Sequence, residues 1–402
     1  MAEQAAFMPS FFSSWVWIEH PAHVGAVQAA RTLKAVRRGD AQGWKGKAGM
    51  AATAVSWIGL ADLMRKNLAA TEEIEASLEA AGVDPAPADR AVPVASLAGV
   101  IATTPRGVKV RRGVTFSEID GQELKLDVHS PKETLPPGQR RPAILQIHGG
   151  AWIIGDKREQ GQPLMSHLAA NGWVCVNANY RLSPKVEYPG HLVDCKAALA
   201  WMRDHADELG IDPEFICVTG GSAGGHLAAL VGLTANDPTF QPGFTETDTS
   251  VAAAVPFYGV YDFTDEAGNN GPEFIKMLER MIMRRSLEDH RQDFLDYSPM
   301  HRVHRDAPPF MIIHGELDTL APVAEARRFR TALDDVSEQE VVYLELEGTQ
   351  HAFDGLWSNR TRRTIEGVER FLRRQWTQHL EHTTDRVAAD TSRSADASIS
   401  VR

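Results

Sequence analysis

Between residues 107 and 379 the chain alternates short, almost wholly apolar β-branched runs with longer helical stretches, and few folds can absorb that pattern. The runs Ala143–Ile147, Trp173–Asn177, Phe215–Val218, Val251–Pro256, Phe310–His314 and Val341–Leu346 read as strands buried on both faces. Gly107–Phe116 and Glu123–His129 read as an antiparallel pair ahead of them. Helices are predicted at His191–His205, Ala223–Leu233, Ala321–Leu333 and Arg362–Gln375. A strand that is apolar on both faces must be covered on both, so the alternation predicts an α/β fold with a mostly parallel sheet between helical layers. In such sheets the reactive groups sit on loops at the carboxyl ends of strands.

One of those loops is Thr219-Gly220-Gly221-Ser222-Ala223-Gly224-Gly225, a G-x-S-x-G between a strand and a helix. A serine on a sharp strand-to-helix turn takes strained backbone angles, and neighbours two residues away must then lack side chains. The turn points the hydroxyl outward and puts it at a helix N-terminus, where the dipole favours developing negative charge. A phosphate loop is the competing reading, but no Gly-Lys-Ser/Thr follows. Upstream, Ala143–Ile147 ends in His148-Gly149-Gly150-Ala151-Trp152. The amides of Gly149, Gly150 and Ala223 are therefore candidate donors to an oxyanion, each worth about 10²–10³-fold in rate.

A serine hydroxyl needs an oriented base to become nucleophilic, and on this fold the order is Ser, acid, His. Strand Phe310–His314 runs into Gly315-Glu316-Leu317-Asp318, and the last strand runs into Gly348-Thr349-Gln350-His351. Asp318 and His351 are thus the expected acid and base. His301, His304 and His314 are rivals for the base, and Glu316 for the acid. His226 and the strand cysteines Cys175 and Cys217 read as packing residues.

These residues resemble the hormone-sensitive-lipase-like bacterial esterases of the α/β-hydrolase family over roughly 110–375. The resemblance rests on HGGAW at 148–152, YRLSP at 180–184, GGSAGG at 220–225, HGELD at 314–318 and HAF at 351–353. It implies Ser222, Asp318 and His351 as nucleophile, acid and base, an oxyanion hole from Gly149, Gly150 and Ala223, and a lid over 263–305 that joins the front segment above the site. Two departures stand out. Ala151 replaces a third glycine of many relatives and argues against bulky tertiary-alcohol esters. Gly221 stands where relatives often carry an acid. Tyr180, Arg181 and Asp194 lie in family-typical segments and read as a structural network.

The predicted chemistry is hydrolysis of small-molecule carboxylic esters through an acyl-enzyme, with no metal or cofactor required. An amidase or arylformamidase with the same machinery is the alternative, and a ligand receptor built on an inactive hydrolase is a third reading. A formal charge of −11 argues against nucleic acid as a partner. That charge is uneven: residues 1–110 hold 11 Lys/Arg against 10 Asp/Glu and four of the nine tryptophans. The segment 1–106 is expected to be a helical extension or cap ending in an Ala/Pro-rich linker over 82–106. Its opening residues do not fit a secretory leader. Ala48–Met64 is short for a span and contains Asp62, so it reads as a buried or interfacial helix. The basic residues at 31–47 leave two readings, a cap with a basic face or peripheral membrane contact through residues 7–64. Residues 107–379 form the expected catalytic domain and 380–402 a disordered tail. Three cysteines suit reduced thiols, hence a cytoplasmic setting with membrane association open, and a dimer is equally open.

Overall fold

The computed structural model describes residues 15–84, 105–355 and 357–399, with side chains through residue 386. The helices that matter here are α1 (Pro21–Arg38), α2 (Gly43–Ala80), α3 (Gln162–Ala170), α4 (Gly190–Asp204), α5 (Ala223–Leu233), α6 (Val323–Val336) and α7 (Asn359–Ile399). The strands are β1 (Val108–Ile119), β2 (Gln122–Pro131), β3 (Arg141–Ile147), β4 (Val174–Ala178), β5 (Ile211–Gly221), β6 (Ala254–Phe257), β7 (Phe310–Gly315) and β8 (Val341–Leu346).

All eight strands join one sheet in the order β1-β2-β4-β3-β5-β6-β7-β8. β1 pairs antiparallel with β2, and β2 antiparallel with β4; every pairing from β4 to β8 is parallel. The apolar strands sort their side chains by alternation. Ala143, Leu145 and Ile147 of β3 pack with α4, α5 and α6, whereas Ile144 packs on the other face with α3, α7 and the end of α2. This two-faced burial is the reason the strands carry no polar stripe.

The front of the chain folds as two antiparallel helices. Pro21 opens α1, and Gly39 closes it in the left-handed conformation (φ 79°), its amide donating to Ala35 and Val36 carbonyls. Only the second half of α2 enters the core, through Ala70, Ile74 and Leu78. Most of the expected linker, residues 85–104, lies outside the described residues.

Two expectations meet a different structure. Among the described residues the 263–305 segment packs on a different face from the front helices. Its Leu278, Ile282, Met283 and Phe294 are buried on the α5 face, while α2 packs on the opposite face. The separation follows from sheet alternation, which gives each face its own core. At the other end, α7 runs unbroken to Ile399, so residues 380–399 are helical where a disordered tail was expected. Extending an already packed helix needs no new nucleus, and a polar sequence can follow it.

Candidate active site

β5 ends at Gly221 and α5 begins at Ala223, which leaves Ser222 to make the turn. Its backbone sits at φ 60°, ψ −122°, a conformation that costs a non-glycine residue on the order of 1–3 kcal/mol. Close approach explains the glycines on either side. A Cβ on Gly220 would stand 2.3 Å from the Gly224 carbonyl oxygen, and one on Gly224 would stand 2.2 Å from that of Ile147. The Ser222 amide donates to the Phe257 carbonyl at 3.0 Å and fastens the turn to β6. Ser222 itself is partly exposed between buried neighbours.

The loop after β3 runs directly past this serine: a Cβ on Gly149 would lie 3.1 Å from Ser222 Cβ. Gly150, Ala151 and Trp152 all take positive φ (111°, 50° and 61°), and the amides of Ile153 and Ile154 return to the Gly150 carbonyl. Of the three amides expected to face an oxyanion, one is engaged. Gly149 N–H donates to Gln160 Oε1 at 2.7 Å. Gly150 N–H has no acceptor among the described residues, and Ala223 N–H is a first-turn amide without an intrahelical partner.

Asp318 and His351 come together from the loops after β7 and β8. His351 Nδ1 lies 2.6 Å from Asp318 Oδ2, while Asp318 Oδ1 accepts from the amides of Leu320 and Ala321, each at 2.8 Å. Burial by itself would raise the Asp318 carboxyl. The neighbouring His351 and hydrogen bonds from His314 and His351 outweigh it and hold the group well below the usual carboxylate range. Tyr258 links this pair to the elbow: its ring centre is 4.6 Å from that of His351, and a Cβ on Gly221 would fall 2.7 Å from its hydroxyl. Among the described residues no hydrogen bond joins Ser222 to His351.

Three of the rivals, His314, His301 and Glu316, have other neighbours. His314 Nε2 lies 2.7 Å from the Ala321 carbonyl and 3.4 Å from Asp318, behind the acid. His301 stands 3.8 Å from Asp262, and Glu316 accepts the Gly348 amide at 2.8 Å. His226 stacks on Phe263 at 4.3 Å, with burial pulling its pKa down to about 3. Arg181 grips Asp194 through two nitrogens at 2.8 and 2.9 Å, a structural brace.

Three residues at the site escape sequence reasoning: Gln160, Tyr258 and Asp354. The Tyr258 hydroxyl donates to the buried Asp354 carboxylate, three residues beyond His351. The space beside Gly221 is thus filled by a tyrosine that reaches the Asp354 carboxylate from the other side. A glycine next to the serine is the one sequence signal of that close approach, since a Cβ there would meet the Tyr258 hydroxyl.

The sheet order and the turn at Ser222 define the class, an α/β-hydrolase. The BD-FAE family model matches residues 126–333. Over 348 residues the chain is 44% identical to a Mycobacterium tuberculosis protein named "Probable carboxylic ester hydrolase LipM", covering 81% of this chain and 79% of that one. It is 46% identical over 252 residues to "Esterase LipQ" of the same organism, covering 63% and 59%. Among solved structures, Thermogutta terrifontis esterase 2 phosphonylated by sarin superposes with a TM-score of 0.57 at 28% identity, covering 66% of this chain and 94% of that one. The chain belongs to the BD-FAE family, among the hormone-sensitive-lipase-like carboxylesterases.

Proposed function

We propose that this protein is a serine carboxylesterase in which Ser222, His351 and Asp318 act as nucleophile, base and orienting acid. His351 takes the Ser222 proton as the oxygen attacks the ester carbonyl. The tetrahedral oxyanion lies against the amides of Gly150 and Ala223, and against Gly149 once Gln160 releases it. His351 then gives its proton to the departing alcohol, leaving an acyl-Ser222 ester. Water, deprotonated by His351, attacks this ester and returns acid and free enzyme. Asp318 holds Nδ1 and favours the imidazolium that forms at each step.

The observation that carries this reading is the 2.6 Å contact between His351 and Asp318 beside a strained, partly exposed serine. The names of the relatives favour an ester over an amide, and a similar esterase phosphonylated by sarin supports a covalent route. Ser222→Ala should abolish both burst and turnover with a short p-nitrophenyl ester; retained turnover would refute the assignment. Rates on that ester and on an N-formyl aryl amine, measured side by side, separate esterase from amidase. The substrate is a small-molecule ester; peripheral membrane contact through residues 7–64 belongs to the front helices, and residues 7–14 of that span lie outside the described residues.

A further inference from the structure

None of residues 22–59 is buried, although all but a short turn of them are helical. In proteins most helical stability comes from packing an apolar face. Here α1 and the first half of α2 face each other, with Gln28 Nε2 donating to Ser56 at 3.0 Å, and large apolar side chains stay exposed on both. Trp44 is 76% exposed, Val55 68% and Ile58 73%. On a helix these three fall on one strip, which Ala48 and Ala51 extend. Among the described residues, twelve of the seventeen exposed large hydrophobic side chains lie between Val16 and Leu68.

Charge says what covers that strip. Between residues 20 and 61 the chain has six basic residues and a single acid, Asp40, in a protein of net charge −11. Arg37, Arg38, Lys45 and Lys47 cluster at the turn between the helices, all exposed, and none has an ion pair among the described residues. A second copy docking hairpin to hairpin would set cation against cation. An apolar, Trp-bearing helix edged with unpaired cations fits an anionic lipid surface.

The hairpin is also rooted near the site. Its base is pinned by a buried ion pair between Glu19 and Arg360 and by Lys66 against Gly348, three residues before His351. From there α1 extends about 27 Å at 1.5 Å per residue. Its root, Glu19, bonds Ser358 and Arg360 beyond the carboxyl end of β8, on the edge of the sheet that carries Ser222. Three of the five exposed large hydrophobics outside the front segment, Ile154, Leu317 and Leu320, flank the loops of that edge.

We propose that the 21–60 hairpin binds anionic membrane and holds the Ser222 entrance at the lipid surface, so that the enzyme draws on esters dissolved in the bilayer. This rests on the esterase reading for its substrate and on the hairpin alone for its binding. Among the described residues no helix is long and apolar enough to cross a membrane, so the contact is interfacial.

The test uses the intact chain with vesicles of phosphatidylglycerol and phosphatidylcholine mixed, or of phosphatidylcholine alone. The protein should co-sediment with the anionic vesicles at low salt and release at 0.5 M salt as surface charges are screened. Each basic residue near such a surface is worth about a fivefold factor, so Lys45→Gln with Lys47→Gln should weaken partitioning at least tenfold. Val55→Ser with Ile58→Ser should weaken it independently. Both variants should keep wild-type turnover of a water-soluble short ester, yet hydrolyse a long-chain ester carried in anionic vesicles at least tenfold more slowly. Failure to co-sediment, as when residues 1–14 or 85–104 or a second copy cover the strip, overturns the proposal, and so does unchanged partitioning of the variants. If Ser222 were not the nucleophile, Ser222→Ala would keep ester turnover while the sedimentation result stood unaffected.

Discussion

The two halves of α2 obey different rules. From Leu60 onward the helix lies against β8 and α7, buries Ile74 and Leu78, and has polar contacts at the sheet edge, where Glu73 accepts the Glu347 amide. Before Leu60 the same helix buries nothing and carries exposed tryptophans and lysines. The body around His351 is the opposite extreme, with Asp318, Asp354, Glu19 and Arg360 buried and each partnered. In the body polar groups sit inside and are held to geometry, while in the hairpin apolar groups sit outside and are held to nothing described. Substitutions should therefore act in the body through polar partners and in the hairpin through surface alone.

The largest expected effect separates function from stability within the body. Asp318→Asn keeps the shape of the loop but can no longer favour the imidazolium form or fix its tautomer. Turnover of a short ester should fall by about 10⁴-fold. A loss below tenfold would mean that Asp318 only braces the loop.

At the joint of the two regions, Glu19 and Arg360 are both about 1% exposed and 2.5 Å apart. Glu19→Gln leaves the guanidinium buried without its counter-charge, which costs about 3–5 kcal/mol. The loss should appear in denaturant unfolding and as faster hydrogen exchange over 15–38. Unchanged exchange there would show that the hairpin is anchored by something other than this pair.

Glu325 offers a test by pH. It is buried, accepts the Tyr261 amide at 3.0 Å and is bonded by Asn270. Burial pushes its carboxyl up to about 7. Because the folded state holds this proton more tightly than the unfolded chain, stability is full below about 4.5 and falls as pH rises to about 7, by up to about 3 kcal/mol. Glu325→Gln should flatten that decline. An identical pH profile for the variant would mean that Glu325 ionises without cost where it sits.

Local pattern made much of this molecule legible. The strand Val341–Leu346 is found where the apolar run places it, Phe310–His314 is extended by one residue, and Ala223–Leu233 is a helix with the expected limits. Ser222, Asp318 and His351 could be singled out because each follows a strand end, and a strand end is a local signal. What stayed hidden depends on distant partners. Glu19 and Arg360 are 341 residues apart, Tyr258 and Asp354 are 96 apart, and no periodicity links them. Gln160 is only 11 residues from Gly149, but its contact exists because three consecutive positive φ angles fold the loop back. The attachment of the front helices to the face opposite Leu278 was equally out of reach, since an amphipathic segment shows that it packs and not where.

The smallest expected effect is the sharpest comparison, because it holds residue type and helix fixed. Ile58 and Ile74 both lie on α2, the first 73% exposed and the second 1% exposed in the core shared with α7. Ile74→Ala removes buried methylenes facing Gly367 and should cost about 2–5 kcal/mol. Ile58→Ala removes the same atoms from solvent, and alanine is the better helix former, so the change should stay within about 0.5 kcal/mol. Denaturant unfolding without lipid reads both. A cost above about 1 kcal/mol at Ile58 would mean that the strip is already covered in the free protein, and the division of α2 into a packed half and a waiting half would fail.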